Sequence, residues 1–233
     1  MSALAGKTAV VTGGSRGIGL AIAQELARGG ARVAICGRGE PSLAAAAALI
    51  VAERRDAEVM WVRCDVGKFA DCRHLHASVD TRLGVPDILI NNAGVVERVG
   101  LHEMSEAQWD HVLDANLKGT FNVTRVFLPQ MRARASGRII NIASISGRLG
   151  TPRLTAYCAA KHGVIGFTRA LVEETRDVNI QVNAICPGSV DTEMLAGSGF
   201  PAQMSADHVA GVALWLATDA PSALTGACID VFG

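Results

Sequence analysis

Short apolar runs rich in β-branched residues alternate along this chain with longer segments in which apolar residues recur every three or four positions. Short runs are typical of buried strands, and the longer spacing is typical of one helix face. The first run, Thr8–Val11, ends in a glycine-rich turn, and the helical pattern after it stops at Gly29. Further strands are predicted at 32–36, 59–63, 87–90, 138–142, 180–185 and 227–231. Helices are predicted at 18–28, 43–52, 68–83, 109–134, 156–175 and 205–218, the fourth despite Gly119 and Pro129.

The strands are nearly continuous in apolar character, which indicates a parallel sheet covered by helices on both faces. Right-handed crossovers then predict a doubly wound sheet of about seven strands, with ligands bound at the carboxyl ends of the strands. The 233 residues contain no linker, internal repeat or low-complexity tract. We therefore predict a single α/β domain over residues 1–233, with a short substrate loop at about 189–205.

The glycine-rich turn TGGSRGIG (Thr12–Gly19) lies between the first strand and the first helix. Strand, glycine-rich turn and helix together can bind a dinucleotide, because glycines let the backbone approach the pyrophosphate and the helix N-terminus presents free N–H groups. The spacing of Gly13, Gly17 and Gly19 differs from the commonest dinucleotide fingerprint. The turn alone is also compatible with a connecting loop that binds no ligand.

Polar residues follow the predicted strands, and Ser144 after the fifth strand is one of them. Tyr157 comes thirteen residues later and Lys161 four residues after that, so both can project from one helix face into a cleft. A nearby ammonium is expected to lower the pKa of the tyrosine and make it useful as a general acid or base. Ser144 and Tyr157 would then donate hydrogen bonds to the oxygen of a ketone during hydride reduction. The alternative is an ordinary half-buried aromatic residue and a solvated lysine.

An ordered set of motifs resembles the short-chain dehydrogenase/reductase family over essentially the full chain. Its members are TGGSRGIG, Asp65-Val66, NNAG (Asn91–Gly94), Asn116, Ser144, Tyr157, Lys161 and PGSVDT (Pro187–Thr192). Within the family, NNAGVV, NLKGTFN, RIINIAS and PGSVDTEM are most similar to β-ketoacyl-carrier-protein reductases. The resemblance implies a Rossmann-like fold and hydride transfer between a nicotinamide cofactor and a carbonyl or secondary alcohol.

The resemblance also implies a role for each catalytic candidate. Tyr157 is expected to be the acid/base, and Lys161 to hold the nicotinamide ribose and lower the tyrosine pKa. Ser144 is expected to bind the substrate oxygen, and Asn116 to hold a water that continues a proton relay. Taken singly, Ser144 is equally compatible with a strand-end cap, and Asn116 with a helix residue that bonds its own backbone.

Cofactor binding is likewise implied by the resemblance. Asp65 is expected to meet the adenine amine, Asn91 to line the cofactor cleft, and Val190 and Thr192 to anchor the carboxamide and the neighbouring phosphate. The full expected set is Gly13, Ser15, Arg16, Gly17, Ile18, Gly19, Arg38, Asp65, Val66, Asn91, Ala93, Gly94, Tyr157, Lys161, Pro187, Gly188, Val190 and Thr192.

The residues at the end of the second strand favour NADP(H) over NAD(H). The position that is usually acidic in NAD-specific relatives is Gly37, and Arg38 follows it. Arg16 in the glycine-rich turn is a second basic group, and arginine binds a 2′-phosphate bidentately. Two solvated surface arginines, with Glu40 reaching the ribose, are the alternative.

Composition limits the other classes of function. The formal net charge is +0, which gives no electrostatic reason to expect nucleic acid, and no apolar run is long enough to span a membrane. The first strand starts almost at the N-terminus, without room for a signal peptide, and the six cysteines form no CxxC pair. We therefore expect buried thiols in a cytoplasmic protein. His74 and His76 lack companion ligands, so no metal is expected.

Three hypotheses of function remain. The first is an NADP(H)-dependent reductase of a β-ketoacyl thioester, linked to acyl carrier protein or CoA, or of a similar small ketone. The second is an NAD-linked alcohol or sugar dehydrogenase, and the third is a non-catalytic nucleotide-binding scaffold. The resemblance and the apolar last strand predict a homo-oligomer, at least a dimer, with a tetramer preferred. The shortened segment after Met194 and the chain end at Gly233 depart from the family and leave substrate and tetramer packing open.

Overall fold

The computed structural model describes residues 3–233. Its strands are β1 (Thr8–Thr12), β2 (Arg32–Gly37), β3 (Val59–Arg63), β4 (Ile88–Asn91), β5 (Gly137–Ile142), β6 (Ile180–Pro187) and β7 (Cys228–Val231). Its α-helices are α1 (Gly17–Arg28), α2 (Glu40–Glu53), α3 (Phe69–Leu83), α4 (Glu106–Leu113), α5 (Gly119–Arg134), α6 (Thr155–Thr175) and α7 (Ala206–Ala217). A π-helical segment (Asp114–Lys118) joins α4 to α5, and a 3-10 turn (Ile145–Gly147) follows β5.

The strands form one parallel sheet in the order β3-β2-β1-β4-β5-β6-β7. The direction of strand addition reverses between β1 and β4, which opens a crevice at their carboxyl ends. Alternate residues of each strand point to opposite faces. In β1, Val11 shares one core with Leu26 of α1, whereas Val10 shares the other core with Leu75 of α3 and Phe127 of α5. The predicted doubly wound sheet with helices on both faces is confirmed.

The helix predicted at 109–134 differs from the structure in its start and in its interior. It begins at Glu106, because Ser105 Oγ accepts a bond from Gln108 N at 3.2 Å while Gln108 Oε1 accepts one from Ser105 N at 3.0 Å. It also contains the π-helical segment, a feature often found at functional sites. Gly119 directly follows that segment, and a Cβ atom there would lie 2.5 Å from Val66 Cγ2. Glycine therefore lets the helix approach the end of β3.

Strand ends differ by one or two residues from the prediction in a way that matters for the site. β4 ends at Asn91 instead of Ile90, and β6 continues through Pro187 instead of ending at Ile185. β7 pairs with β6 alone and forms one edge of the sheet, and the neighbouring Phe232 ring is half exposed.

The six cysteines are free thiols, of which Cys36, Cys64, Cys72 and Cys186 are buried, as expected, while Cys158 and Cys228 are partly exposed. Over residues 3–233, no helix is long and apolar enough to cross a membrane. The same residues contain no cluster of three or more side chains suited to a metal ion.

Candidate active site

The glycine-rich turn is packed tightly at its glycines. Gly13 and Gly17 have φ values of +64° and +54°, which favour glycine. A Cβ atom on Gly19 would lie 2.2 Å from the Gly13 carbonyl oxygen. Asn92 holds the turn from the end of β4, since its Nδ2 donates to Thr12 O at 2.9 Å and to Gly13 O at 3.2 Å.

Ser144 and Tyr157 meet at the carboxyl end of β5. Ser144 Oγ accepts a hydrogen bond from Ser146 N at 3.1 Å, which fixes the hydroxyl at the start of the 3-10 turn. The same hydroxyl lies beside the Tyr157 phenol and lowers the pKa of that phenol through a side-chain hydrogen bond. Two O–H groups from different elements thus lie side by side, as hydride reduction of a ketone requires.

The expected net lowering of the Tyr157 pKa is wrong. Burial raises the pKa of Tyr157 above its ordinary value, against smaller lowering effects of the Ser144 hydrogen bond and the Arg98 charge. The Lys161 ammonium lies 5.6 Å from the centre of the Tyr157 ring, over its face, and donates to the Ile142 carbonyl at 2.8 Å. The phenol is consequently protonated at neutral pH and available as a proton donor.

Lys161 is only 4% exposed, so it is not the solvated helix residue that the alternative described. Burial lowers its pKa to about 8. Its place on α6, one turn after Tyr157, brings both side chains to the same side of the helix.

Asn116 lies in the π-helical segment and is 1% exposed. Its Nδ2 donates to Val95 O at 2.8 Å and to Val112 O at 2.9 Å, while its Oδ1 is buried without a hydrogen-bond partner. That oxygen faces Gly94, where a Cβ atom would also lie 3.7 Å from Lys161 Nζ. A buried acceptor of this kind needs a donor, which a water or a ligand group can supply.

A cavity of about 240 Å³ opens at these residues. Nine of the predicted site residues line it, and they are Ile18, Gly94, Ser144, Tyr157, Lys161, Pro187, Gly188, Val190 and Thr192. Pro187 and Gly188 come from the end of β6, so the cavity spans the crevice from the glycine-rich turn to the 3-10 turn.

The prediction that Asn91 lines the cleft is wrong in its register. Asn91 is 4% exposed, and its Nδ2 donates to Thr124 Oγ1 and to Asn141 Oδ1 in the interior. Asn92 lines the cavity instead. Because β4 extends through Asn91, the side chains of neighbouring residues point to opposite sides.

The remaining cofactor candidates do not line the cavity. Asp65 Oδ1 accepts a bond from Gly67 N at 3.1 Å at the end of β3, beside the buried Val66. Ala93 N donates to Thr12 Oγ1 at 3.0 Å. Ser15, Gly13, Gly17 and Gly19 belong to the turn itself, and Arg38 is exposed just after β2.

The glycine-rich turn is linked to the segment after β6. A Cβ atom on Gly17 would lie 3.2 Å from Thr192 Cγ2, and Thr192 Oγ1 donates to Val190 O at 3.3 Å. Arg16 forms an ion pair with Glu193, both side chains being largely exposed. One of the two arginines expected to face a 2′-phosphate thus has a carboxylate partner within the chain.

Sequence reasoning missed several lining residues of the cavity. Val96 and Arg98 precede α4, Leu154 precedes Tyr157, and Met194 and Phe200 lie in the predicted substrate loop. The long connection between the NNAG motif and α4 could have indicated Val96 and Arg98, because long loops beside strand ends commonly carry functional residues.

The residues present fit a dinucleotide cofactor. The glycines of the turn leave the backbone N–H groups at the start of α1 accessible. The buried Asn116 Oδ1, near Lys161, has no hydrogen-bond donor among the described residues. A doubly wound sheet with this turn and a Ser-Tyr-Lys cluster in its crevice defines an oxidoreductase that uses a nicotinamide cofactor.

Comparisons with known proteins agree with that class. The short chain dehydrogenase family model matches residues 7–199. The 3-oxoacyl-[acyl-carrier-protein] reductase FabG of Chlamydia trachomatis is 40% identical, covering 99% of this chain and 97% of that protein. An acetoacetyl-CoA reductase of Shinella zoogloeoides is 38% identical, covering 97% of both. The crystal structure of actinorhodin polyketide ketoreductase with NADPH has a TM-score of 0.92 and 34% identity, covering 97% of this chain and 96% of that one.

The chain belongs to the short-chain dehydrogenase/reductase family and is similar within it to 3-oxoacyl-carrier-protein reductases. It is therefore an oxidoreductase, and the alternative of a non-catalytic scaffold is not supported.

Proposed function

We propose that the protein is an NADP(H)-dependent oxidoreductase that interconverts a carbonyl and a secondary alcohol, with a 3-oxoacyl thioester or a similar small ketone as substrate. The observation that carries this proposal is the convergence of Ser144, Tyr157 and Lys161 on one cavity. The names of the two similar reductases, whose substrates are linked to acyl carrier protein or CoA, support the substrate class.

In the reduction direction, a nicotinamide held in this crevice would supply the hydride that the carbonyl carbon accepts. Ser144 Oγ and Tyr157 Oη donate hydrogen bonds to the carbonyl oxygen as negative charge develops on it. Tyr157 Oη then transfers its proton to that oxygen, which completes the alcohol. The raised pKa of the phenol keeps the proton in place until the oxyanion forms.

Lys161 and Asn116 return the proton to Tyr157. The Lys161 ammonium lies over the face of the phenol ring, 5.6 Å from its centre, and its position next to Gly94 suits a bond to the nicotinamide ribose. The free Oδ1 of Asn116 accepts from a water that continues the relay. The remaining cofactor groups are held by the glycine-rich turn, by Asp65 and Val66, and by the segment after β6.

For the choice of cofactor we propose NADP(H). Arg38 is exposed and has no ion-pair partner in the described part of the chain, so its guanidinium is free for a 2′-phosphate. The NADPH bound to the similar ketoreductase supports this choice.

A second candidate, an NAD-linked alcohol or sugar dehydrogenase, is favoured by one observation. Glu193 already pairs with Arg16, which leaves Arg38 as the single unpaired arginine of the expected two. A site with one free guanidinium discriminates less strongly in favour of a 2′-phosphate than a site with two.

We further propose that residues 189–205 act as the substrate loop of a single domain over 1–233, that the protein is cytoplasmic, and that it is a homo-oligomer. Met194, Leu195, Ser198 and Phe200 of this segment line the cavity, which supports the first point. The exposed edge strand β7 supports the last.

The test of the function is a panel of ketones and alcohols, including 3-oxoacyl thioesters, followed by NADPH and NADH absorbance. We expect turnover of a 3-oxo compound with NADPH and weaker turnover with NADH. Turnover restricted to alcohols or sugars with NAD would favour the second candidate.

A further inference from the structure

Arg98 is a cation that lines the cavity. It lies in the segment between β4 and α4 and lines the cavity with apolar neighbours such as Val96 and Leu154. Lys161 is the other charged residue that lines the cavity. Among the described residues, 3–233, no aspartate or glutamate lines it. The charged side chains that line the cavity are therefore both cations, and apolar surroundings strengthen the attraction of a cation for a bound anion.

The Arg98 guanidinium is held in place without being neutralised. Its Nη2 donates to the Met194 backbone carbonyl at 2.6 Å, and the described part of the chain gives it no ion-pair partner. Its backbone is fixed against the loop before α6, because Arg153 Nη2 donates to Arg98 O and Val99 N donates to Arg153 O, both at 3.1 Å. Four of the five N–H donors of the guanidinium remain for another acceptor.

Arg98 and Tyr157 line the same cavity, and the Arg98 charge lowers the pKa of the phenol. A group bound by Arg98 is consequently near the carbonyl that Ser144 and Tyr157 hold. A phosphate at the far end of a pantetheine arm would be separated from that carbonyl by the length of the arm. A carboxylate on a short oxo acid would not.

We propose that Arg98 is a specificity-determining residue that binds an anionic group of the substrate, the carboxylate of a short oxo acid or hydroxy acid, while Ser144 and Tyr157 hold its carbonyl oxygen. This inference rests on the proposed function for the reaction and adds the charge class of the substrate. Planar guanidinium and carboxylate groups bind bidentately, which also orients the carbonyl for one face of attack.

The test compares matched substrates in the wild type and in Arg98→Met, which keeps the aliphatic length and removes the charge. The substrates are 3-oxobutanoate, its ethyl ester, its neutral N-acetylcysteamine thioester and its CoA thioester. Removal of a charge-assisted contact should raise KM for the free acid by about 10- to 100-fold, with little change in kcat or in KM for the ester. Arg98→Lys should recover part of the loss, and Arg82→Met, at an exposed arginine of α3, should match the wild type.

Binding is measured in parallel by calorimetry with 3-hydroxybutanoate and its methyl ester on the NADPH-bound protein, and with NADPH itself. We expect weaker acid binding in Arg98→Met and unchanged affinity for the ester and for NADPH.

Equal effects on acid and ester would overturn the proposal. A loss confined to the CoA thioester would also overturn it, because the anion bound by Arg98 would then be a phosphate of the carrier. A loss of NADPH affinity would assign Arg98 to the cofactor. If the proposed function itself is wrong, the wild type will not oxidise NADPH with any ketone, which distinguishes that failure from the outcomes for Arg98.

Discussion

Asn116 Oδ1 faces Gly94 so closely that a Cβ atom at position 94 would lie 2.4 Å from it. In Gly94→Ala, the methyl group must displace the Asn116 amide or the backbone beside Lys161. A shift of about 1 Å in a catalytic group can cost on the order of 10²-fold in rate, and we expect a loss of that size in turnover with the fold retained. Steady-state turnover and circular dichroism of the variant test this.

The matched control is Gly150→Ala. No heavy atom lies within 4 Å of a Cβ built there, and Gly150 does not line the cavity. We expect wild-type turnover from it. Equal turnover in both variants would mean that the contact between Gly94 and Asn116 does not matter.

Lys161 makes the stability of the cofactor-free protein depend on pH. Burial lowers its pKa from 10.5 to about 8. Below pH 8 the folded protein contains a buried ammonium, and its burial opposes folding. Between pH 8 and 10.5 the unfolded chain binds more protons at this residue than the folded protein, so the free energy of unfolding rises with pH.

The variant Lys161→Met lacks this titration. Relative to it, the wild type should gain on the order of 2 kcal/mol in the free energy of unfolding between pH 8 and pH 10. Urea unfolding of both proteins at several pH values, without cofactor, measures the difference. A difference that stays constant over this range would contradict the lowered pKa.

Gly37 at the end of β2 has room for a side chain. A Cβ atom there would lie 3.6 Å from Leu43 Cδ2 and 3.9 Å from Ser15 Oγ, both ordinary contacts. In Gly37→Asp, the carboxylate should repel a 2′-phosphate and accept a bond from a 2′-hydroxyl, which shifts preference from NADPH towards NADH. Dissociation constants for both cofactors test this.

Gly37→Ala is the control, because it adds the same Cβ atom without charge. We expect it to leave the preference nearly unchanged. If Gly37→Asp weakens both cofactors equally, or neither, then Gly37 does not adjoin the adenosine ribose.

The edge strand β7 predicts association of the chain with itself. Unpaired edges tend to be covered in native proteins, and Phe232 beside this edge is 50% exposed. Sedimentation at micromolar concentration should give a dimer or a tetramer. A monomer under those conditions would disprove the predicted homo-oligomer.

The sequence predicted the sheet and the central cluster because their signals are local. Apolar runs mark the strands, and the spacing of Tyr157 and Lys161 places both side chains on one face of a helix. The strand order of a doubly wound sheet then brings Ser144 and the glycine-rich turn to the same crevice.

Other features depend on contacts that the sequence does not reveal. β4 ends one residue later than predicted, and in the structure Asn91 points into the interior while Asn92 lines the cavity. The position of Arg98 depends on bonds to residues 153 and 194, far away in sequence. The sign of the Tyr157 pKa shift depends on how deeply the ring is packed, and side-chain spacing carries no information about that.

Tyr157 is the proton donor of the proposed reaction, and Tyr157→Phe tests this role. The change removes one oxygen and keeps the ring, so cofactor binding should be nearly unchanged. Loss of an oxyanion donor costs on the order of 10²–10³ in turnover, and loss of general acid catalysis roughly 10²–10⁴. Because one group performs both roles, we expect a fall of at least about 10³ instead of the product. Adding Lys161→Ala should lower turnover little further while weakening NADPH binding.

The measurement is turnover of an accepted ketone by the wild type and by Tyr157→Phe, alongside NADPH affinity and under conditions where chemistry is rate-limiting. We expect intact NADPH binding with turnover lower by at least about 10³. A Phe variant that keeps more than about a tenth of wild-type turnover would show that Tyr157 is not the acid and that the proposed reaction scheme is wrong.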